Sequence, residues 1–410
     1  MKKLVLSIIF TLFSFTGIFA SSFFTGYAGG KFEYTADAKT GDDNKTTYDP
    51  NLKLQAFFAG QFNFTSNLWG RMEFSIDTAD FINQTLFSAT ESDFQVDEIS
   101  LTVRSMGLSF ANYFSTFMGT YDAIGSDIFL QRYFSIEKIA SELTNSWLGL
   151  AGSILYPHFG IGICDILRFY SQPIAMGAYI YLNHEDESYY VVNADVRAAC
   201  NYRFFTADFA CGIGAPISDK YKGQDVLLAI ESIYWHCGTT ILVGNNYTQA
   251  LFLQAGLFNA EFGASSNTLN SSPDDIYLLL EPRFTIQSSH LNITAYSLPS
   301  STVKDLLYLD DTLGININIY SEALKMNGTP FKLGCHTTLS FSEKTFLNLA
   351  EFASFFVGDT KCFNVNIIPY FSTQFLSGEL NALLKVECLD FVTGEWYEGI
   401  SANLGYKCSF

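Results

Sequence analysis

The chain of 410 residues is both apolar and acidic. Hydrophobic residues make up 48% and aromatic residues 16%, while Asp and Glu (41) outnumber Lys and Arg (23) and give a formal charge of −18. This composition is too apolar and aromatic for a disordered protein. The chain is also not a default nucleic-acid binder, because phosphate neutralisation needs clustered basic residues.

The first 22 residues have the pattern of an export signal. Lys2 and Lys3 precede an apolar stretch from Leu4 to Phe19, and small residues follow it at positions 20–22. Beyond them no apolar run approaches the roughly 18 residues of a membrane-spanning helix. We predict a cleaved signal peptide over 1–22 and a single domain over 23–410, which is secreted, periplasmic or barrel-forming.

Most of the remaining chain alternates between apolar and polar residues. Successive residues of a strand point to opposite faces, so this alternation predicts antiparallel strands with one apolar and one polar face. The pattern recurs over 68–77, 98–104, 190–201, 313–319, 331–341, 379–388 and 400–410.

Three features favour a membrane-spanning barrel over a soluble sandwich, which gives the same alternation. The apolar rows often match the ~9 to 11 residues of a tilted membrane strand. Proline is rare, with 9 residues, and only 16% of residues are charged. Connections also alternate between long loops (36–51, 78–95 and 120–146) and tight turns (65–66 and 105–107).

The predicted fold is therefore an all-β, transmembrane, antiparallel up-and-down β-barrel. We expect about 18 strands and allow roughly 16 to 22, because strand boundaries read from one sequence err by ~2 to 4 residues. Barrels of this size enclose a lumen that side chains alone need not fill.

Charged residues lie in mid-strand on the polar face. An Arg or Lys facing lipid costs about 2–4 kcal/mol, so we expect these residues to face a wet lumen. The alternative is that they pair across strands as salt bridges in a water-plugged barrel. The predicted lumen-facing residues are Arg71, Glu73, Asp77, Glu98, Arg104, Asp195, Arg197, Asp208, Lys332, Lys385 and Glu387.

The cysteines and histidines do not form a metal-binding pattern. Adjacent His and Cys residues, as at 236–237 and 335–336, point to opposite faces of a strand and cannot share one ion. Structural thiols facing lipid are favoured over disulfides, which would need partners on neighbouring strands at matching depth. The cysteines in apolar rows are Cys200, Cys211, Cys335, Cys388 and Cys408. We predict no metal, no other cofactor and no catalytic residue.

Residues 120–146 differ from the rest of the chain because apolar residues recur there at helical spacing. One interpretation is a short amphipathic helix that packs on the outer loops. The recurring residues are Ile128, Phe129, Arg132, Tyr133, Ile136, Ile139, Ala140 and Leu143, with Asp127, Glu137, Lys138 and Glu142 on other faces.

The last strand carries a family resemblance. It ends at Phe410, and Tyr406 and Cys408 lie on the same face. This strand resembles the C-terminal targeting strand of bacterial outer-membrane β-barrel proteins, which the barrel-insertion machinery reads. Together with the export signal and the alternation it indicates a porin-like barrel, without a plug domain or a motif for a particular porin family.

The resemblance implies a barrel in the outer membrane of a diderm bacterium, embedded in lipid, with long loops outside and both termini in the periplasm. The expected function is passive diffusion of small polar solutes, weakly favouring cations, and not an enzyme activity. The alternative is a surface adhesin or ligand-binding barrel that acts through its extracellular loops. The class also includes homo-oligomers.

Porins in which the third long loop folds inward suggest a second interpretation of residues 120–146. The segment would then form a constriction inside the channel. Asp127, Arg132, Glu137 and Lys138 would be its charged residues.

Overall fold

The computed structural model describes most of the chain beyond the predicted signal peptide, which lies outside the described residues. The described residues are 24–40, 46–78, 80, 82, 92–144, 158–186, 189–221, 224–230, 232–245, 248–263, 269–270, 272–303, 306–326, 328–341, 363–389 and 399–410.

These residues form twenty strands and little helix. The strands are β1 (Phe24–Thr40), β2 (Thr46–Thr65), β3 (Leu68–Asp77), β4 (Asp93–Met106), β5 (Phe110–Thr120), β6 (Phe159–Phe169), β7 (Ile174–Asp186), β8 (Tyr189–Tyr202), β9 (Phe205–Tyr221), β10 (Gln224–Ala229), β11 (Ser232–Asn245), β12 (Gln249–Gly263), β13 (Leu269–Asn270), β14 (Ile276–Ile286), β15 (Ser289–Ser297), β16 (Leu313–Met326), β17 (Thr329–Phe341), β18 (Phe363–Phe375), β19 (Gly378–Glu387) and β20 (Ile400–Ser409). The helices are α1 (Ile128–Phe134) and α2 (Ser300–Val303), and Pro273–Asp275 forms a 3-10 turn. No helix among the described residues has the length and hydropathy needed to cross a membrane.

Eighteen of the strands form one closed antiparallel barrel in which each strand pairs with the next. The short strands β10 and β13 extend the pairing of β9 and β12 and are not part of the ring. Strands β1 and β20 close the barrel, and the backbones of Gly26 and Phe410 exchange hydrogen bonds of 3.0 and 2.9 Å beside them. The predicted all-β up-and-down barrel of about 18 strands is confirmed.

The barrel has a polar interior and an apolar exterior. In β4, Ser100 and Thr102 are buried, whereas Leu101 and Val103 between and beside them are 44% and 46% exposed. The inner faces of β16 and β17 are polar in the same way, whereas those of β6, β7 and β14 carry buried apolar residues such as Ile166, Tyr179 and Leu279. A soluble protein buries its apolar face, so this arrangement is that of a barrel surrounded by lipid.

Connections at the two ends of the barrel differ in length over β2–β6, as predicted, but only two positions separate β7 from β8 at the end that carries the long connections. Within the described residues, one end has tight turns of two to four residues, at 66–67, 107–109, 170–173, 203–204, 287–288 and 376–377. Strand β1 begins at this end of the barrel, and strand β20 finishes at it. The prediction of a long loop over 36–51 is wrong, because β1 and β2 remain paired as far as Thr40 and Thr46. Backbone pairing continues there after the apolar alternation has stopped.

Aromatic rings cover glycines on the inner wall. Gly256 is the register partner of Tyr277 across β12 and β14, and Gly334 is the partner of Tyr370 across β17 and β18. A Cβ atom at either glycine would collide with the opposite ring. These glycines therefore allow large rings to lie flat against the wall.

Candidate functional site

Residues 121–144, the first inward segment, lie inside the barrel. Arg132 of this segment contacts Glu98 of β4, and Ser141 contacts Glu281 of β14 on a distant part of the ring. A segment that binds widely separated strands of one closed barrel must cross its lumen.

The first inward segment is helical only over Ile128–Phe134. Ser135 has a left-handed φ of 54°, and it ends the helix. Asp127 then folds the following residues back, because its Oδ2 atom accepts the backbone N–H groups of Ile139 at 2.8 Å and Ala140 at 2.7 Å. The helical spacing predicted beyond Phe134 is therefore wrong, since a polar side chain holds that part of the chain in a turn.

The apolar side of the first inward segment packs on the inner wall. Phe129, Leu130 and Tyr133 are buried in one cluster with Ile166 of β6 and Tyr179 of β7. This packing places the predicted apolar face against the barrel wall instead of against outer loops.

Arg132 gathers a group of charges on one side of the segment. Its Nη2 atom donates to both carboxylate oxygens of Glu98 at 2.7 Å, and its Nη1 atom donates to Asp122 Oδ1 at 2.6 Å. Arg71 Nη2 lies 3.2 Å from Glu73 and Arg71 Nε lies 3.7 Å from Glu98. The structure thus brings together four of the residues predicted from sequence.

A second ion pair fixes the beginning of the segment. Arg197 of β8 donates to Asp208 of β9, with Nε at 2.8 Å from Oδ1, and also donates to the backbone carbonyl of Asp122. The Asp122 carboxylate accepts the hydroxyl of Tyr179 at 3.1 Å. Arg197 and Asp208 are almost fully buried, so they serve as anchors for the segment.

Two histidines flank Asp195, and neither was predicted from sequence. The Nε2 atoms of His158 and His236 each lie 2.8 Å from a different oxygen of the Asp195 carboxylate, and the Tyr181 hydroxyl donates to it at 3.1 Å. His158 Nδ1 faces the carbonyl of Tyr121 at 3.1 Å. The cluster therefore ties both ends of the connection between β5 and β6 to the wall. Its three residues come from distant parts of the sequence, so spacing gave no signal for it.

Glu142 attaches the end of the first inward segment to β16–β18. Its carboxylate accepts from Lys332 Nζ, from Asn318 Nδ2 at 3.1 Å and from the Tyr370 hydroxyl at 3.4 Å. Burial, the largest single influence, raises the pKa of Glu142, but the charge and hydrogen bond of Lys332, together with His336 and Lys138, lower it to about 2. This anchor remains ionised at neutral pH.

Residues 298–303 and 306–312, the second inward segment, also enter the lumen. Leu298, Val303 and Leu309 are buried beside Leu143 of the first inward segment. This segment was not predicted from the sequence, although its apolar residues Leu298, Val303 and Leu309 were a signal for it.

Two adjacent aspartates hold the second inward segment to the wall. Asp310 pairs with Lys385 of β19 and accepts from Asn366 of β18 at 2.6 Å, and Asp311 accepts from Ser340 at 2.5 Å. Lys385 is thus a predicted lumen residue that binds an inward segment.

The remaining predicted lumen residues lie near the ends of strands. Arg104 is beside a tight turn, where its Nη2 atom donates to the Ser66 carbonyl at 2.8 Å. Asp77 and Glu387 are the last residues of β3 and β19, at the opposite end of the barrel. These three residues are not part of the charged groups around the inward segments.

Glu137 and Lys138 are the exposed charged residues of the first inward segment. Protein around Lys138 restricts its hydration, and this desolvation lowers the pKa of Lys138 to about 8. The ammonium groups of Lys332 and Lys407 add to the shift, against the neighbouring carboxylates.

Lys31, Phe57 and Glu73 are buried on the inner wall of β1–β3, whereas other inward side chains of β1, β3 and β20 are partly exposed. They include Tyr27 of β1, Arg71 of β3 and Lys407 of β20. Lys407 Nζ lies 4.5 Å from the centre of the Tyr27 ring. We call the lumen beside β1–β3 and β20 the open side. Within the described residues, no group of three or more His, Cys, Asp or Glu is placed to hold a metal ion.

The C-terminal residues of the predicted insertion signal lie on the barrel exterior. Tyr406 donates to the carbonyl of Leu376 at 2.8 Å, and the Cys408 thiol faces the carbonyl of Ala28 at 3.5 Å. The ring of Phe410 stacks 5.2 Å from that of Phe24. These contacts fasten the end of the chain to the start of the barrel.

Comparisons with known proteins find similarity in structure alone. No family model matches the chain, and no curated protein matches it. Among solved structures, a mutant of Rh. blastica porin is 8% identical, with a TM-score of 0.40, over 94% of this chain and 99% of that chain. A high-pH structure of Pseudomonas putida OprB is 7% identical, with a TM-score of 0.42, over 94% of each chain. The closed antiparallel ring with its apolar exterior is the fold of an outer-membrane β-barrel.

Proposed function

We propose that the protein is an outer-membrane channel through which small polar solutes diffuse. The observation that carries the proposal is the first inward segment. It crosses the lumen between anchors on β4 and β17, and it leaves Lys138 exposed. A segment anchored in this way narrows the lumen and leaves a polar surface along one side of it.

The solute path in this proposal is the open side of the lumen. Tyr27, Arg71 and Lys407 line it on the barrel wall, and Glu137 and Lys138 line it on the first inward segment. Polar and charged linings of both signs favour hydrated polar solutes over apolar ones.

The ion preference follows from how the charges are paired. Arg132, Arg197 and Lys385 bind carboxylates, so they contribute little net potential. The net charge of −18 then makes the mouth negative, and salt screens this field within ~8 to 10 Å. Weak cation preference is the expected result, and Lys138 reduces it.

The proposal also covers the location and the assembly of the protein in the outer membrane. The chain is exported by the signal over 1–22, inserted by machinery that reads Tyr406, Cys408 and Phe410, and surrounded by lipid as a monomer or a homo-oligomer. Tight turns face the periplasm and long connections face outside. The protein has no enzyme activity in this account.

Planar-bilayer recording of the purified, refolded protein tests the proposal. A diffusion channel gives discrete conductance steps in salt solution. An adhesin or ligand-binding barrel with a filled lumen gives none, and this result would replace the channel by that alternative.

A further inference from the structure

Two cysteines face each other across neighbouring strands on the outer surface of the barrel. Cys211 of β9 is the register partner of Cys237 of β11, within ten consecutive pairs that contain no bulge. Their neighbours Ala210 and His236 are buried on the inner wall. Both thiols therefore point outward, from the same depth in the barrel.

The hydrogen-bond pattern shows which type of pair this is. Gly244 N donates to the Phe204 carbonyl at 2.9 Å, one step beyond the last register pair of these strands. Hydrogen-bonded and non-hydrogen-bonded pairs alternate along an antiparallel ladder. Cys211 and Cys237 lie seven steps from the Phe204–Gly244 pair, so they form a non-hydrogen-bonded pair.

Non-hydrogen-bonded pairs bring side chains closest together. Their Cα atoms are about 4.5 Å apart, within the roughly 4.4 to 6.8 Å that disulfides span. The two thiols are unbonded in the structure. A bond between them requires side-chain rotation and no change of register.

The other described cysteines of the barrel strands lack such a partner. Their register partners are Ser115 and Tyr179 for Cys164, Ile174 and Ala207 for Cys200, Ile319 and Pro369 for Cys335, and Ala28 and Gly378 for Cys408. Within the described strands, Cys211 and Cys237 are the cross-strand cysteine pair.

We propose that Cys211 and Cys237 form an intramolecular disulfide while the barrel assembles. Each thiol loses a proton, and together they lose two electrons to the disulfide of a protein oxidant. This oxidant lies in the compartment to which the chain is exported. That oxidant becomes a dithiol, and one S–S bond forms in the barrel. The exchange precedes lipid insertion, because thiolates and the oxidant react in water.

The bond would close the part of the chain that contains β10. The linked residues are 26 positions apart in sequence and lie on either side of the extension formed by the end of β9 and by β10. Cross-linking such a loop restricts the unfolded chain more than the folded one, and so favours the folded barrel. The inference depends on export and register, not on channel activity.

Mass spectrometry of the protein taken from intact outer membranes tests the inference. The sample is denatured without reductant, treated with iodoacetamide and digested. We expect a peptide in which Cys211 is linked to Cys237, and alkylation of both residues only after reduction. Cys335 and Cys408 serve as internal controls and should be alkylated in either case.

The matched variant is Cys237→Ser. It should make Cys211 fully reactive to iodoacetamide while the barrel keeps its heat-modifiable migration on gels. Reductant should lower the unfolding temperature of the wild type and leave that of the variant unchanged. Full alkylation of Cys211 and Cys237 without reduction would overturn the inference, as would a link from either residue to a different cysteine.

Discussion

Arg132 of the first inward segment donates to both carboxylate oxygens of Glu98 on β4, at 2.7 Å each, and the Glu98 side chain is 2% exposed. Removing one partner of a buried ion pair typically costs about 3–5 kcal/mol, because the remaining charge is desolvated and unpaired. This contact is therefore a principal attachment of the segment to the wall.

Replacing Glu98 should release that attachment. We expect Glu98→Gln to give larger and more variable single-channel conductance steps than the wild type. Glu137→Gln is the matched comparison, because it removes an exposed carboxylate of the same segment without releasing its attachment, and its steps should stay uniform in size. Wild-type steps in Glu98→Gln would show that this ion pair does not hold the constriction.

The ionisation of Lys138 should make ion preference depend on pH. Its pKa is lowered to about 8, so the ammonium is present at pH 7 and is lost as the pH rises toward 9. Cation preference, measured as a reversal potential under a salt gradient, should increase over this interval.

Lys138→Gln should show the stronger cation preference already at pH 7 and should remove its rise between pH 7 and 9. Lys325→Gln, an exposed lysine near a tight turn, is the control and should behave like the wild type. Anion preference at low salt in the wild type would contradict the proposal that the net negative charge favours cations.

The ring of Tyr277 should tolerate only glycine at position 256 on the neighbouring strand. Gly256→Ala should destabilise the barrel by about 1–3 kcal/mol, since a methyl group must displace Tyr277 from the wall. Urea unfolding in lipid vesicles, followed by Trp fluorescence, measures the loss.

Two further variants separate this steric effect from others. Tyr277→Phe should be nearly neutral, because its hydroxyl has no hydrogen-bond partner within the described part of the chain. In the double variant with Tyr277→Ala, the methyl group should no longer add a cost. Strictly additive losses would argue against a contact between the ring and the glycine.

Topology can be tested by epitope insertion. An epitope placed in the connection over 78–92 should be labelled on intact cells, whereas one at the tight turn over 66–67 should be labelled only after permeabilisation. Labelling of the tight turn on intact cells would reverse the orientation.

The sequence predicted the barrel because its exterior and interior have local signatures. Alternation along β3, β4 and β20 assigned each residue to a face. Alternation could not predict the outer part of the first hairpin, where polar residues continue the pairing of β1 and β2.

The interior contacts could not be predicted because they depend on closure of the ring. Lys385 and its partner Asp310 are 75 residues apart, and Glu142 and Lys332 are 190 apart. The sequence marked Lys332 and Lys385 as facing the lumen, but only the closed barrel selects their partners. The His158–Asp195–His236 cluster arises in the same way.

A bulky, water-soluble thiol reagent applied to the variant Lys138→Cys during planar-bilayer recording tests the central claim most directly. The wild type, whose cysteines on the described strands face outward or are buried, controls for reaction elsewhere. If the first inward segment narrows the solute path, the variant should show discrete steps that shrink on modification, while wild-type steps stay constant. Absence of discrete steps, or steps in the modified variant that keep their size, would contradict the account.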